Sequence, residues 1–174
     1  MGGPKALVEL DGEPLVRRAL RVLADGGCAP RIVVVGAAAD AVRAVLPADV
    51  TVVDAPDWAE GMGASLRAGL AALPDVDAVL VHLVDLPGVT AAAVARLADG
   101  AGPSTLRRAA YHGRPAHPVV LGREHWAGVA AVATGDAGAR NYLKDHPDLE
   151  LVECADVATP DDVDTPDALA RWIS

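Results

Sequence analysis

The tightest constraint on the fold of this 174-residue chain is a series of short β-branched runs, each followed by a helix-patterned segment. Arg31-Ile32-Val33-Val34-Val35-Gly36 is apolar at consecutive positions, the mark of a strand buried on both faces. Ala78-Val79-Leu80-Val81-His82-Leu83-Val84 is the most apolar run, and Val50-Thr51-Val52-Val53 is a shorter one. Helical spacing predicts helices over 14–23, 37–46, 61–73, 90–97, 136–143 and 166–172. Gly26-Gly27 stops the first, Thr90 caps the fourth, and Thr165 caps the last. Leu106–Tyr111 and Val119–Leu121 read as strands around the turn at 112–115, with a further strand at 150–153. Such alternation predicts one domain over 1–174, built on a mostly parallel sheet with helices on both faces and an antiparallel addition.

Aromatic residues make up only 3% of the chain, with no Phe, so the core rests on Ala, Val and Leu and helices can approach the sheet closely. The net charge of −9 and the lack of any Lys/Arg run argue against nucleic-acid binding. No apolar stretch approaches the roughly 18–20 residues that span a bilayer, so no membrane role is expected, and no signal-peptide pattern precedes the globular pattern. Cys28 and Cys154 stand far apart and form neither a zinc pattern nor a disulfide framework. A reducing cytoplasm is the expected compartment.

In open α/β sheets, ligands bind beyond the carboxyl ends of strands. Asp85 lies at such an end. Asp162 and Asp164 are two apart, so an extended backbone puts them on one face. Mg²⁺ takes one or two carboxylates plus phosphate oxygens, and Asp85 with one of that pair meets the need. Each Asp also has a simpler reading, as a turn former or helix cap. Lys5, in the turn Gly2-Gly3-Pro4-Lys5, has the charge to neutralise phosphate. Gly61 to Ser65 enter a helix whose free N–H groups suit an anion. His117, between rigid residues, reads equally as substrate-binding or structural, and His82 as a satisfied core histidine.

Several segments carry a family resemblance when taken in order. They are G-G-P-K and D-G-E-P-L at the start, P-D-W-A-E-G-M-G-A-S-L-R-A-G-L, V-D-L-P, G-R-P-A-H-P-V, G-D-A-G-A-R and D-V-D-T-P-D-A-L. Together the chain resembles the molybdenum cofactor cytidylyltransferase and molybdopterin-guanine dinucleotide synthase branch of the nucleotidyltransferases. The resemblance implies a Rossmann-like three-layer α/β/α fold and Mg²⁺-dependent transfer of CMP or GMP from CTP or GTP. The implied acceptor is molybdopterin or another phosphorylated small molecule, with a molybdoenzyme-maturation protein as a further partner. It implies Lys5 and Asp85 as catalytic residues and Asp85, Asp162 and Asp164 as metal ligands. Gly2, Gly3, Lys5, Gly61, Ser65 and His117 become contacts to nucleotide or acceptor. The chain departs from the family pattern at Ala55, Leu86 and Ala116, where Asn, Gln and Gly are common. The family's first strand and triphosphate-cradling glycine loop have no counterpart before Met1, so the domain reads as incomplete at its amino end. We expect translation to begin further upstream. The alternative is a short form, a non-catalytic binding or chaperone-like member that has lost the triphosphate loop.

Overall fold

The computed structural model describes residues 3–172. A 3-10 turn at Lys5–Leu7 leads into the hairpin of β1 (Glu9–Leu10) and β2 (Glu13–Pro14). Its turn residues Asp11 and Gly12 have φ of 54° and 77°, the left-handed pair that a tight hairpin of this hand requires. Helix α1 (Leu15–Asp25) buries Leu15, Val16, Ala19, Leu20 and Val22 and leaves Arg17 and Arg21 outside. It ends at Gly26, where an added Cβ would lie 2.4 Å from Val94 Cγ1.

Strand β3 (Ile32–Val35) runs parallel to β4 (Thr51–Asp54), joined through α2 (Ala39–Val45). Helix α3 (Met62–Ala71) crosses from β4 to β5 (Ala78–Val81), and α4 (Ala91–Ala98) follows. Thr90 caps α4 by accepting the Ala93 N–H at 3.3 Å. Strands β6 (Leu106–Tyr111) and β7 (Arg114–Gly122) form a hairpin turning at His112 and Gly113, whose φ are 52° and 75°. Helices α5 (Arg123–Val132) and α6 (Arg140–Leu143), strand β8 (Glu150–Glu153) and helix α7 (Pro166–Ala170) complete the chain. Glu153 holds the β6–β7 turn by accepting the His112 and Gly113 N–H groups, each at 2.9 Å. Thr165 caps α7, accepting the Ala168 N–H at 3.1 Å.

The larger sheet has the order β5-β7-β6-β8, with β6 and β8 parallel and the other pairs antiparallel. Successive residues of β7 serve opposite layers. Val120 packs with Ala93 and Leu97 of α4, while Val119 and Leu121 pack with Leu70 of α3 and Val129 of α5. The result is the expected three-layer α/β/α arrangement.

Among the described residues, β3 pairs only with β4, and β5 pairs only with β7. Between these strands lies a cavity of about 480 Å³, walled by Ile32–Val34, Val79–Val84, α1 and α3.

Four local features differ from the sequence reading. Helix α5 was not expected, because its apolar letters fall on no single stripe and it starts directly at the end of β7. The helix expected over 136–143 is divided into a 3-10 turn at Gly135–Ala137 and α6, since Gly138 takes φ 52°. The β5 ladder stops at Val81, where its register with Val119 ends, and does not reach Val84. The first hairpin was also not foreseen, its strands being only two residues each.

Val163 anchors the segment before α7 to the core. Val163 is fully buried against Leu10 and Leu15, and its N–H donates to the Asp85 carbonyl at 2.9 Å. Val163→Ala is expected to cost about 2 kcal/mol through the cavity it leaves. Urea unfolding checks this, with a loss near zero marking the contact as dispensable.

Candidate functional site

Asp85 follows β5 at its carboxyl end, and two distant stretches reach it. The Lys5 ammonium donates to Asp85 Oδ2 at 2.8 Å and also to Asp164 Oδ1. Local structure explains each placement. The Pro4–Val8 turn closes with Leu7 N–H to Pro4 C=O and Val8 N–H to Lys5 C=O, both 3.0 Å, and Leu15 N–H bonds Val8 C=O at 2.8 Å. These bonds fix Lys5 against the start of α1. On the other side, Thr159 N–H bonds Gly88 C=O at 3.1 Å and Val163 N–H bonds Asp85 C=O at 2.9 Å. The 159–164 strip therefore lies along 85–88. A Cβ on Gly88 would stand 2.2 Å from Thr159 Oγ1, so the strip needs glycine there. With Val163 turned inward, its neighbours Asp162 and Asp164 face out, as their spacing predicts.

Asp85 is the inner member of the cluster, its side chain 18% exposed against 39% for Lys5 and 53% for Asp164. Partial burial works against the Lys5 charge, but hydrogen bonds from Lys5 to Asp164 and Asp85 hold its pKa above the usual lysine value. The same Lys5 bond holds Asp164 below the usual carboxylate range. Asp162 is pushed up instead, by burial and then by the charges of Asp164 and Asp85. Three carboxylates thus share one field in which a single ammonium leaves negative charge uncompensated.

The other residues singled out from sequence divide by location. Gly2 lies outside the described residues. Gly3 is exposed, and a side chain there would meet nothing. Gly61 has φ 115°, and a Cβ on it would come within 2.5 Å of the Gly135 carbonyl carbon and 2.8 Å of Asp136 Oδ1. Its glycine is thus required by conformation and by close packing of two loops. Ser65 and His117 line the cavity between β3 and β5, not the Lys5 cluster itself. The departures at Ala55 and Leu86 are buried, and Ala116 packs against the core.

His82 corrects the sequence reading. It is half-buried in the cavity wall, yet its buried Nδ1 has no hydrogen-bond partner, and the same holds for His117 Nδ1. The sequence signal was available: His82 is the one polar residue in the apolar run of 78–84. Burial, then the neighbouring His117, lowers the His82 pKa to about 4, against a partial opposing effect of Asp85. Burial and the Arg108 charge lower His117 as well. Both imidazoles are therefore neutral at pH 7. His125, by contrast, is a satisfied core histidine, bonded to Tyr142 Oη at 2.8 Å and the Ser104 carbonyl at 3.1 Å.

Among the described residues, no three His, Cys, Asp or Glu side chains gather closely enough to cage a metal unaided. The donor set nevertheless suits a cation that completes its shell with phosphate oxygens. The Lys5 ammonium already occupies a place between two carboxylates, so a positive charge is accommodated there.

Fold and site together define an α/β protein with an acidic, lysine-bridged cluster at the carboxyl end of a strand. The chain belongs to the MobA-like NTP transferase family, an enzyme family whose domain matches residues 1–150. Nicotine blue oxidoreductase of Paenarthrobacter nicotinovorans is 40% identical over 181 aligned positions, covering 98% of this chain and 88% of that protein. Among solved structures, Rv0371c from Mycobacterium tuberculosis H37Rv superposes with a TM-score of 0.83 at 28% identity, covering 99% of this chain and 90% of that one. The same protein has been solved in complex with manganese, superposing with a TM-score of 0.79 at 28% identity over 99% and 92% of the two chains. A nucleotidyl transferase from Methanothermobacter shares the fold, with a TM-score of 0.82 at 24% identity over 96% of this chain and 82% of that one.

The two cavity histidines make a pH prediction. A folded-state pKa of about 4 for His82, below the ordinary value of 6.5, means the unfolded chain binds the extra proton first. Stability should therefore fall as pH drops from 6.5 toward about 4. Urea midpoints at pH 7 and at about pH 5 check this, and His82→Leu should flatten the difference.

Proposed function

We propose that this chain transfers a nucleoside monophosphate, CMP or GMP, from CTP or GTP to a phosphorylated small molecule such as molybdopterin, releasing pyrophosphate. The observation that carries this reading is the Lys5 ammonium bridging Asp85 and Asp164 at the end of β5. No protein nucleophile is required. An acceptor phosphate oxygen attacks the α-phosphorus, the bond to the pyrophosphate oxygen breaks, and the chain's task is positioning and charge compensation.

Asp85, with Asp164 and Asp162, would hold a divalent ion such as Mg²⁺, whose contribution when bound is to offset phosphate charge. Lys5, partly exposed beside these carboxylates, would contact phosphate. Gly61, Ser65 and His117 are assigned to nucleotide or acceptor contacts with Gly2 and Gly3, Ser65 and His117 through the cavity they line. The manganese complex of Rv0371c supports a divalent ion in this fold. Two free cysteines support action in the cytoplasm, and no described helix is long and apolar enough to cross a membrane. A molybdoenzyme-maturation protein is the proposed recipient of the product.

A second reading is a redox activity, favoured by the identity with nicotine blue oxidoreductase along nearly the whole chain. The assays separate the two. Nucleotidyl transfer releases pyrophosphate in the presence of CTP or GTP and acceptor, whereas an oxidoreductase acting on nicotine blue changes the absorbance of that compound and releases none.

Under the first reading, Asp85→Asn and Lys5→Ala should each lower turnover by about 10²–10³ while circular dichroism stays unchanged. Calorimetry with CTP or GTP and Mg²⁺ or Mn²⁺ should lose its signal in Asp85→Asn. Full turnover in that variant would remove Asp85 from the site.

A further inference from the structure

We propose that Arg108, Arg140 and His117 form an anion subsite for a phosphate monoester, and that its occupant is the phosphate group of the acceptor. The anion site stands on the geometry and charge of these residues alone, and its assignment to the acceptor rests on the function proposed above.

Two arginines converge here with no carboxylate to balance them. Arg108 of β6 and Arg140 of α6 both line the cavity between β3 and β5. Among the described residues neither guanidinium forms an ion pair. Carboxylates are in excess in a chain of net charge −9, and Arg107, next to Arg108 on the other face of β6, bonds Glu150 at 2.8 Å. Arg108 donates only from Nε, to the Ala116 carbonyl at 3.1 Å, so the rest of its fork is free to bind an anion. Burial, and then the Arg140 charge, hold its pKa below the usual arginine value. Two like charges in a half-buried place repel, and an anion between them removes that cost. Asp136 is the one acidic residue on the described lining, and its Oδ1 lies against Gly61.

His117 adds a donor. Its Nδ1 is buried without a hydrogen-bond partner, and a neutral imidazole carrying its proton there donates to an anionic oxygen. His117 senses the charges of Arg108 and Arg140 and also that of Asp85. The subsite therefore adjoins the cluster of Lys5, Asp85 and Asp164 without sharing a residue with it.

The charge count selects the ligand. Two guanidinium groups match a phosphate monoester, which carries about −1.5 to −2 near neutral pH, and each planar fork suits a pair of phosphate oxygens. Under the proposed function the nucleotide's phosphates fall to the Lys5 cluster. The arginines then hold the acceptor's phosphate, the group that attacks, beside it.

The test follows binding of phenyl phosphate to the 174-residue chain, without nucleotide or metal, through the ring signals of His117 in NMR spectra. His125, bonded at both nitrogens, is the internal reference. Phenyl phosphate should shift His117 saturably and leave His125 in place, and benzoate at equal ionic strength should bind about tenfold more weakly or worse. Arg140 is exposed, so Arg140→Gln should fold normally; it should weaken phenyl phosphate binding about tenfold, and Arg140→Lys should weaken it less. Arg17→Gln removes the same charge from the exposed face of α1 and should change affinity by less than about twofold. No saturable shift, equal binding of benzoate, or an equal loss in Arg17→Gln would overturn the anion site. Calorimetry with CTP or GTP and Mg²⁺ decides the occupant. Arg140→Gln should leave nucleotide affinity within about twofold, and a loss of about tenfold would give the site to the nucleotide and overturn its assignment to the acceptor. If the chain neither binds nor transfers a nucleotide, saturable binding of phenyl phosphate still carries the anion site, and only the assignment to the acceptor falls.

Discussion

The bond from the Val163 amide to the Asp85 carbonyl is the constraint on which the candidate site depends. Residues 78 positions apart are brought into contact by one buried apolar side chain and one backbone hydrogen bond. Because Val163 points inward against Leu10 and Leu15, the carboxylates on either side are forced outward beside Asp85. The same two leucines flank the Asp11-Gly12 turn, which positions the approach of Lys5 to α1. A short hairpin therefore serves both partners of the cluster. The geometry of the charged groups is set by apolar packing beneath them, since exposed ion pairs contribute little stability of their own.

The division of the sheet has a different physical character. Interior strand edges left facing a cavity conflict with the near-complete pairing of buried backbone groups. The surrounding layers do not collapse into the gap because each has independent anchors. Helix α1 is held through Val22 and Val94 of α4, and α3 is held through Leu70 against β6 and β7. Gly63 lets α3 approach the Ala133 carbonyl, where a Cβ would come within 2.7 Å of its carbon. The walls of the cavity between β3 and β5 are thus packed from outside it.

Much of this was legible in the sequence wherever local chemistry decides. The β-branched run at 32–35, the caps at Thr90 and Thr165 and the turn at His112-Gly113 all follow from residue type at fixed offsets. The alternation Asp-Val-Asp at 162–164 declared its own outward carboxylates. What the sequence hid is non-local. Helix α5 buries only His125 and Val129, a pattern too sparse to produce a stripe. The stop of β5 at Val81 depends on the path of β7, not on the apolar letters of 82–84. That β3 and β5 are not paired could be seen only from the fold, because each strand alone reads as fully buried. The meeting of Lys5 with Asp85 and Asp164 followed from family resemblance and not from spacing, since 80 and 159 residues separate the partners.

The charges at the rim explain why the cluster is poised and not finished. Burial first raises the pKa of Asp162, and the surplus of three converging carboxylates over the one Lys5 ammonium adds to it. Protonation, an added cation, or both must relieve that surplus. A divalent cation held by Asp85, Asp162 and Asp164 would relieve it without protonation and would supply charge for anionic oxygens. Lys5 would then have less carboxylate charge to balance and more attraction for phosphate. Under the proposed function one lysine would serve two states: it links Asp85 and Asp164 in this structure, and it would meet the ligand's charge once ligands bind. Its partial exposure permits that change of partner, whereas the deeper Asp85 stays fixed by the Val163 bond.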